Sequence, residues 1–291
     1  MIKVIASDLD GTLLNKQHVV SKRTLNAIKA AQKAGIRFVV ITGRSFEQAM
    51  QALEDTNLVC DYIASSGAEV RNPQKEIVYR EGIDLKDCKM VYDELQKYSV
   101  SHWFGGDDNI YCIGSSEQYE KYIFSRLSTS NQELTENEIR EMKLFKSLVS
   151  KIKVVSCFED FIKLSIGILK IFVVSNNLET LGKLRAELTK NPNLALASSF
   201  EYNLEITVVK AQKGPVLKKY IETLGYKQDE VMAFGDSLND YSMLSMNFGA
   251  TVAMENADEK VKKVAQYITK TNDEDGVAYA IEELLKRSVH F

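Results

Sequence analysis

The chain has 291 residues, 45% of them apolar and 26% charged, with 37 basic side chains against 40 acidic ones and a formal net charge of −3. Such a composition excludes disorder and can bury a large core, and the length favours two domains over one. It leaves no excess of positive charge to neutralise a phosphate backbone and shows no long Lys/Arg block, so no nucleic-acid partner is expected.

Residues 4–6 form a short apolar run that ends at Asp8 and is followed by Asp10, Gly11 and Thr12, which reads as a buried strand entering a turn. Residues 24–34 place Leu25, Ile28 and Ala31 on one face, start after Ser21 and stop at Gly35, a helix marked at both ends. Residues 37–41 predict a second buried strand. Ser45 and Gln48 have capping-box spacing for a helix through Leu53, and a third strand begins at residues 62–64. The order is β-α-β-α-β.

From about Gly82 to Val209 the pattern changes. It predicts a helix over 85–98, short strands near Trp103 and Tyr111, further helices, a strand over 169–174, a helix over 178–188 and a closing hairpin of 194–198 with 204–208. In residues 134–156 the amphipathic spacing favours helix while the β-branched residues favour strand. The first pattern then returns: a helix over 215–224, a strand over 231–234, a helix over 240–246, a strand over 251–254, a helix from Asn256, a strand over 267–269 and a last helix from about Gly276 to Lys286. Alternation of this kind implies a parallel sheet covered by helices, with an α+β segment inserted into the α/β core.

Cys60, Cys88, Cys112 and Cys157 are far apart and form no Cys-x-x-Cys pair, so neither a disulfide framework nor a zinc site is expected. His18, His102 and His290 are scattered and suggest no ligand set. The first residues reach Asp8 within one short strand, too little apolar length for a signal peptide, and no run approaches the ~20 residues of a membrane helix. A soluble cytoplasmic protein is the expectation, with no membrane partner.

Ligands of parallel α/β sheets bind beyond the carboxyl ends of the strands. Four polar groups fall there. Asp8 and Asp10, two residues apart with Gly11 to turn the chain, can serve as nucleophile and proton donor; a solvated turn is the plainer alternative. Thr42, Gly43 and Arg44 end the second strand ahead of a helix, where unpaired N–H groups can cradle phosphate or simply lead into the helix. Lys213 precedes Gly214 and Pro215 at a helix start, where a cation opposes the macrodipole and calls for an anion unless it is merely a solvated surface lysine. Asp236 and Asp240, with Asn239 between them, can add carboxylate oxygens to those of the first group for a hard cation such as Mg²⁺, although Asp240 also fits an ordinary helix cap. All four lie in one order on one predicted sheet, which points to a single site.

Asp8-Leu9-Asp10-Gly11-Thr12, Thr42-Gly43-Arg44, Lys213, and Gly235-Asp236 with Asn239-Asp240 resemble the four motifs of the haloacid dehalogenase superfamily, in particular its Cof-type sugar-phosphatase branch (subclass IIB). The resemblance implies a Rossmann-like parallel-sheet core over residues 1–82 and 210–291, and a substrate-selecting α+β cap of the C2B type over 83–209. It also implies a Mg²⁺-dependent phosphatase acting on small phosphate esters, with sugar phosphates the expected class. In that chemistry Asp8 attacks phosphorus, while Asp10 protonates the leaving oxygen and then activates water. Mg²⁺ would be held by Asp8, the carbonyl of Asp10 and Asp236, with Asp240 in support; phosphate would meet the backbone of Leu9 and Gly43, the Thr42 hydroxyl, Lys213 and Asn239. Phosphoryl transfer needs this kind of positioning and charge neutralisation.

Ser66 is a departure, standing where related sequences usually carry Asn. Glu205 resembles a recurrent position of the branch, but reads more simply as an exposed strand carboxylate. Trp103, Phe104 and Tyr111 could stack on a substrate, though core packing is the commoner use of such residues. Two other activities fit the same motifs: a phosphomannomutase-like phosphotransferase, which would need a basic cap surface for a second phosphate, and a non-catalytic phosphometabolite-binding protein, which would not need both aspartates. The substrate's identity and the oligomeric state are not legible at this level.

Overall fold

The computed structural model describes residues 1–106 and 109–288, so His290 lies outside the described residues. The chain divides into two compact units, one comprising Met1–Arg80, Ser198–Phe200 and the chain from Lys210 onward, the other Glu81–Ala197 and Glu201–Val209.

The first unit opens with β1 (Val4–Ser7), α1 (Lys22–Lys33), β2 (Arg37–Ile41), α2 (Phe46–Ala52), β3 (Asp61–Ala64), β4 (Glu69–Arg71) and β5 (Ile77–Arg80). Ser21 caps α1 by accepting from the Thr24 N–H, and Ser45 and Gln48 close a capping box on α2. Such a cap is worth about 1 kcal/mol, less than the ~1.5–3 kcal/mol from burying one large apolar side chain. Packing of Phe46 and Ala49 into the core is therefore what holds α2 in place.

The second unit contains α3 (Leu85–Leu95), β6 (Ser101–Gly106), β7 (Asn109–Ile113), α4 (Glu117–Ser130), α5 (Glu136–Glu141), α6 (Lys143–Ser150), β8 (Ile152–Val155), α7 (Phe158–Lys163), β9 (Ile168–Val174), α8 (Leu178–Leu188), β10 (Leu194–Ala197) and β11 (Asn203–Val208). Its strands run in the order β10-β11-β9-β6-β7-β8, antiparallel except for the parallel pair β7–β8. Successive side chains alternate between two cores. Phe104, Ile171, Val173, Leu204 and Ile206 join residues of α3 and α8, whereas Trp103, Cys112 and Phe172 join residues of α4, α5 and α6. Trp103, Phe104 and Tyr111 are thus core residues of this unit. Glu205 is not the exposed carboxylate expected from its strand position: it is 2% exposed and paired with Lys170 at 2.9 Å across β9 and β11, because burial of a charge requires a partner. The ambiguous residues 134–156 divide, with α5 and α6 taking the amphipathic part and β8 the β-branched part.

The first unit is completed by α9 (Lys213–Thr223), β12 (Val231–Gly235), α10 (Tyr241–Leu244), β13 (Ala250–Ala253), α11 (Glu259–Val264), β14 (Tyr267–Ile268) and α12 (Gly276–Ser288). Asp258 caps α11, which starts later than Asn256. The sheet order is β14-β13-β12-β1-β2-β3-β4-β5. Its six-strand body is parallel, and β1, β12 and β13 are buried throughout, as strands covered on both faces must be. The expected parallel sheet is present, and one edge carries two further strands that the sequence pattern does not mark, β4 and β5, which are antiparallel because a short turn joins neighbouring strands only in that sense. No helix among the described residues is long and apolar enough to cross a membrane.

Asp61, on β3, is fully buried and accepts from Arg37 Nε at 2.6 Å, Arg37 Nη2 at 2.7 Å and the Tyr220 hydroxyl at 2.5 Å. Asp61→Ala is expected to destabilise the protein by about 3–5 kcal/mol, because it strands a half-buried guanidinium. Urea titration should show a lower midpoint at an unchanged slope; an unchanged midpoint would contradict this.

Candidate active site

The chain proceeds from β1 to β2 and β3 on one side, while β12, β13 and β14 extend the sheet on the other, so the strand order reverses between β1 and β12. That switch point is where open α/β sheets bind ligands. Register pairs Val4 with Val231 and Ser7 with Phe234, and the Asp8 N–H donates to the Phe234 carbonyl at 3.0 Å. Asp8 and Asp236, each one residue past its strand, are brought together across the two ends.

Lys213 is 1% exposed, which overturns the solvated-lysine alternative. Its Nζ donates to Asp8 Oδ1 at 2.7 Å, Asp240 Oδ1 at 2.6 Å and Asn239 Oδ1 at 3.1 Å, so all three ammonium protons have acceptors. The two carboxylates offset both the loss of hydration and the unfavourable position at the start of α9. Asp240 is fully buried, and its Oδ2 accepts from the N–H groups of Asp236 and Ser237, each at 3.0 Å. Asn239 Oδ1 also accepts from Ser237 Oγ at 2.9 Å.

The turn after β1 fits tightly against this cluster. Gly11 has φ +74°, and a Cβ there would overlap the Asp236 carboxylate, so the position demands glycine on both counts. Thr12 Oγ1 donates to Asp236 Oδ1 at 2.8 Å. Leu9 is buried, and its carbonyl accepts from the Leu14 N–H at 2.8 Å. Asp10 faces differently: its carboxylate is 45% exposed and makes a two-pronged ion pair with Arg44, at 2.8 Å through Nε and 2.5 Å through Nη2.

Thr42 is buried at the end of β2, its Oγ1 accepting from the Arg44 N–H at 3.1 Å, with Gly43 between them in the turn. The Ser66 N–H donates to the Thr42 carbonyl at 2.9 Å and the Ser65 N–H to the Arg44 carbonyl at 2.7 Å. Ser65 and Ser66 have φ of 50° and 60°, a left-handed conformation that asparagine adopts more readily than serine.

Burial, reinforced by the charge of Asp240, pushes the Asp8 carboxyl well above the ordinary range, with Lys213 opposing. The same causes push Asp236 up to about 7, against the Thr12 hydrogen bond. Burial alone would lower Lys213, but Asp240 and Asp8 outweigh it and hold the ammonium charged. One oxygen from each of Asp8, Asp236 and Asp240 lies within 4.8 Å of the others. An all-oxygen, multiply negative donor set of this kind suits a hard divalent cation. The Asp10 carboxylate stands outside that group, held by Arg44. Arg44 and Thr12 hold the aspartates, a role that their places in the Thr-Gly-Arg and Asp-Gly-Thr motifs do not by themselves assign.

A family model described as haloacid dehalogenase-like hydrolase matches residues 5–281. The chain is 32% identical over 289 residues to the phosphatase YwpJ of Bacillus subtilis, covering 98% of this chain and 100% of that protein. It is 31% identical over 286 residues to the 5-amino-6-(5-phospho-D-ribitylamino)uracil phosphatase YwtE of the same organism, covering 98% of each. Among solved structures, a haloacid dehalogenase-like hydrolase from B. subtilis aligns with a TM-score of 0.84 at 32% identity over 97% of this chain and 100% of that one. A subclass IIB sugar phosphatase of the superfamily aligns with a TM-score of 0.76 at 25% identity over 97% and 98%.

Lys213→Met should destabilise the metal-free protein by about 3–5 kcal/mol, by leaving Asp8 and Asp240 buried without their cation. The sign with pH follows from Asp8. An acid whose folded-state pKa is raised favours folding while protonated and loses that advantage as pH rises above its unfolded value. Lys213 opposes that loss in the wild type, so the deficit of the variant should grow as pH rises above the ordinary carboxylate range. Chemical denaturation of both proteins at pH 4.5 and 7 checks this, and a deficit that shrinks with rising pH would refute it.

Proposed function

Because the chain belongs to the haloacid dehalogenase-like hydrolases and is a phosphatase, we propose that it hydrolyses phosphate monoesters of sugars or sugar alcohols with Mg²⁺, through an aspartyl-phosphate on Asp8. The observation that carries this reading is the group of Asp8, Asp236 and Asp240, the first and last of them buried, beside a single Lys213, an excess of acidic groups at the sheet's switch point. At 4 Å, like unit charges repel by about 4 kcal/mol at an effective dielectric of 20, so three ionised carboxylates require more positive charge than one ammonium provides. The substrate class rests on the named activities of two relatives, one a sugar phosphatase and one acting on a phosphorylated ribityl chain.

Asp8 and Asp236 fit as metal ligands, with the carbonyl of Asp10 as the backbone contribution. Asp240 has both oxygens engaged, so its part is to fix Lys213 and the loop carrying Asp236. When bound, Mg²⁺ supplies the charge that keeps these carboxylates ionised and neutralises phosphate oxygens. The Thr42 hydroxyl accepts from Arg44, so its own proton is available to a phosphate oxygen. Asn239 Oδ1 is taken by Lys213 and Ser237, which leaves its amide nitrogen as the donor. The backbone N–H groups of Leu9 and Gly43 complete the phosphate contacts, and Lys213 joins them by exchanging one of its three present acceptors for a phosphate oxygen.

In the first step an Asp8 oxygen bonds to phosphorus as the ester P–O bond breaks, and Asp10 gives its proton to the leaving oxygen. In the second, water attacks phosphorus and gives a proton to Asp10 as the Asp8–phosphorus bond breaks, releasing inorganic phosphate and restoring both aspartates.

Phosphate release from an aryl phosphate and a panel of sugar and sugar-alcohol phosphates should vanish with EDTA, return with Mg²⁺, and fall by several orders of magnitude in Asp8→Asn. Release that persists in the variant or without metal would sink the reading. A second outcome concerns stability. Asp236 at about 7, against its ordinary 3.8, makes the metal-free protein lose stability as pH rises through that window, and saturating Mg²⁺ should flatten the loss. Melting curves at pH 5 and 7.5 with and without Mg²⁺ test it; identical slopes would count against Asp236 as a ligand.

A further inference from the structure

We infer that Asn256 is a positioning residue for this reaction, fixing the turn Asp10–Gly11–Thr12 through the Gly11 carbonyl so that Asp10 is presented to the leaving oxygen. The inference rests on the role of Asp10 proposed above. The turn is held at three successive residues: Arg44 grips the Asp10 carboxylate, Asp236 accepts from Thr12 Oγ1, and Asn256 Nδ2 donates to the Gly11 carbonyl at 2.8 Å. The first two contacts come from groups at the strand ends. The third comes from the segment after β13.

That segment is itself fixed to the loop bearing Asp236. The Met254 N–H donates to the Gly235 carbonyl at 3.1 Å and the Asp258 N–H to the Asp236 carbonyl at 2.8 Å, with Met254 and Ala257 buried. Asn256 itself is exposed, and its side chain is gripped at both ends. Its Oδ1 accepts from the Asn272 N–H at 3.0 Å, which orients Nδ2 toward Gly11, and Asn272 Nδ2 donates to the Leu14 carbonyl at 2.8 Å. Two asparagines therefore clamp the loop at Gly11 and Leu14. Asparagines in ordinary turns satisfy nearby backbone, as Asn15 does with Gln17 and Val19. Asn256 and Asn272 instead bridge sequence separations of 245 and 258 residues.

Gly11 is the residue least able to hold its own backbone conformation, and it joins Asp10 to Thr12, so an unfixed Gly11 loosens the turn that carries the Asp10 carboxylate. An exposed neutral hydrogen bond adds little net stability, because water competes for both groups. Its geometric effect is separate, since a misplacement of about 1 Å at a reacting group can cost on the order of 10²-fold in rate. A loss of activity without a loss of stability is the signature of this role.

The test compares kcat/KM for a sugar-alcohol phosphate and an aryl phosphate in wild type, Asn256→Ala, Asn256→Asp and Asp10→Asn. This ratio covers steps through departure of the leaving group, and an aryloxide leaves with little proton assistance where an alkoxide needs it. Both Asn256 variants should melt as wild type does and lose roughly 10- to 100-fold on the alkyl ester but only a few-fold on the aryl ester. The inference is overturned if the two substrates lose equally, if neither loses, or if the loss tracks a lowered melting temperature in both variants. If Asp10→Asn itself shows no bias between the substrates, the role of Asp10 fails and the inference with it. If Asp10→Asn is biased and the Asn256 variants are not, only the inference fails.

Discussion

One ammonium group, Lys213 Nζ, lies in the interior between Asp8 and Asp240, and the ends of β1 and β12 are organised around it. Burying charge is tolerable only where each group has partners, and here every donor and most acceptors are matched by geometry that the backbone supplies. Asp240 reaches Lys213 with one oxygen because its other oxygen is held by two N–H groups of the preceding turn. Asp8 reaches it because β1 pairs directly with β12. Gly11 then becomes obligatory, since the Asp236 carboxylate fills the space a side chain would need. Three carboxylates to one ammonium leave an excess of acidic groups in low dielectric, a setting that suits a hard cation better than a neutral ligand.

The two units meet the demand for a core in different ways. In the first, apolar runs such as Val39, Val40 and Ile41 are buried on both faces of parallel strands. In the second, an antiparallel sheet sends alternate residues into separate cores, so that neighbours such as Trp103 and Phe104 never share one. The Lys170–Glu205 pair is the charged exception on that sheet.

Much of this could be read from local pattern. The runs for β1 and β2, the serine caps of α1 and α2 and the helix Leu178–Leu188 carry their signals within a few residues. The four polar groups after strand ends were likewise visible, because a ligand site on a parallel sheet has a fixed place in the chain order. What could not be read depends on residues distant in sequence. Strands β4 and β5 are short and charged, with buried Glu69 paired to Arg71 and Arg80, so no alternating apolar run marks them. The depth at which Lys213 is buried was not visible, and Glu205 looked exposed, because burial of a charge is set by partners that local pattern does not contain. Arg44 stood in a visible motif, but its grip on Asp10 across two loops did not. Asn256 offered no local signal at all, since both of its hydrogen bonds reach to other loops.

The pairing of β1 with β12 also bears on how the chain is made. Every strand of the second unit lies between Ser101 and Val208, so its full set of partners has emerged before β12 is synthesised. The first unit begins at Val4 yet must wait for Val231 before its central strand has both neighbours. During translation β1 and β2 are thus exposed apolar strands with an open edge for more than half the length of the chain, and contacts of such long sequence separation form slowly. The unit begun first is finished last, and the nascent chain's dependence on folding helpers should be concentrated in that interval.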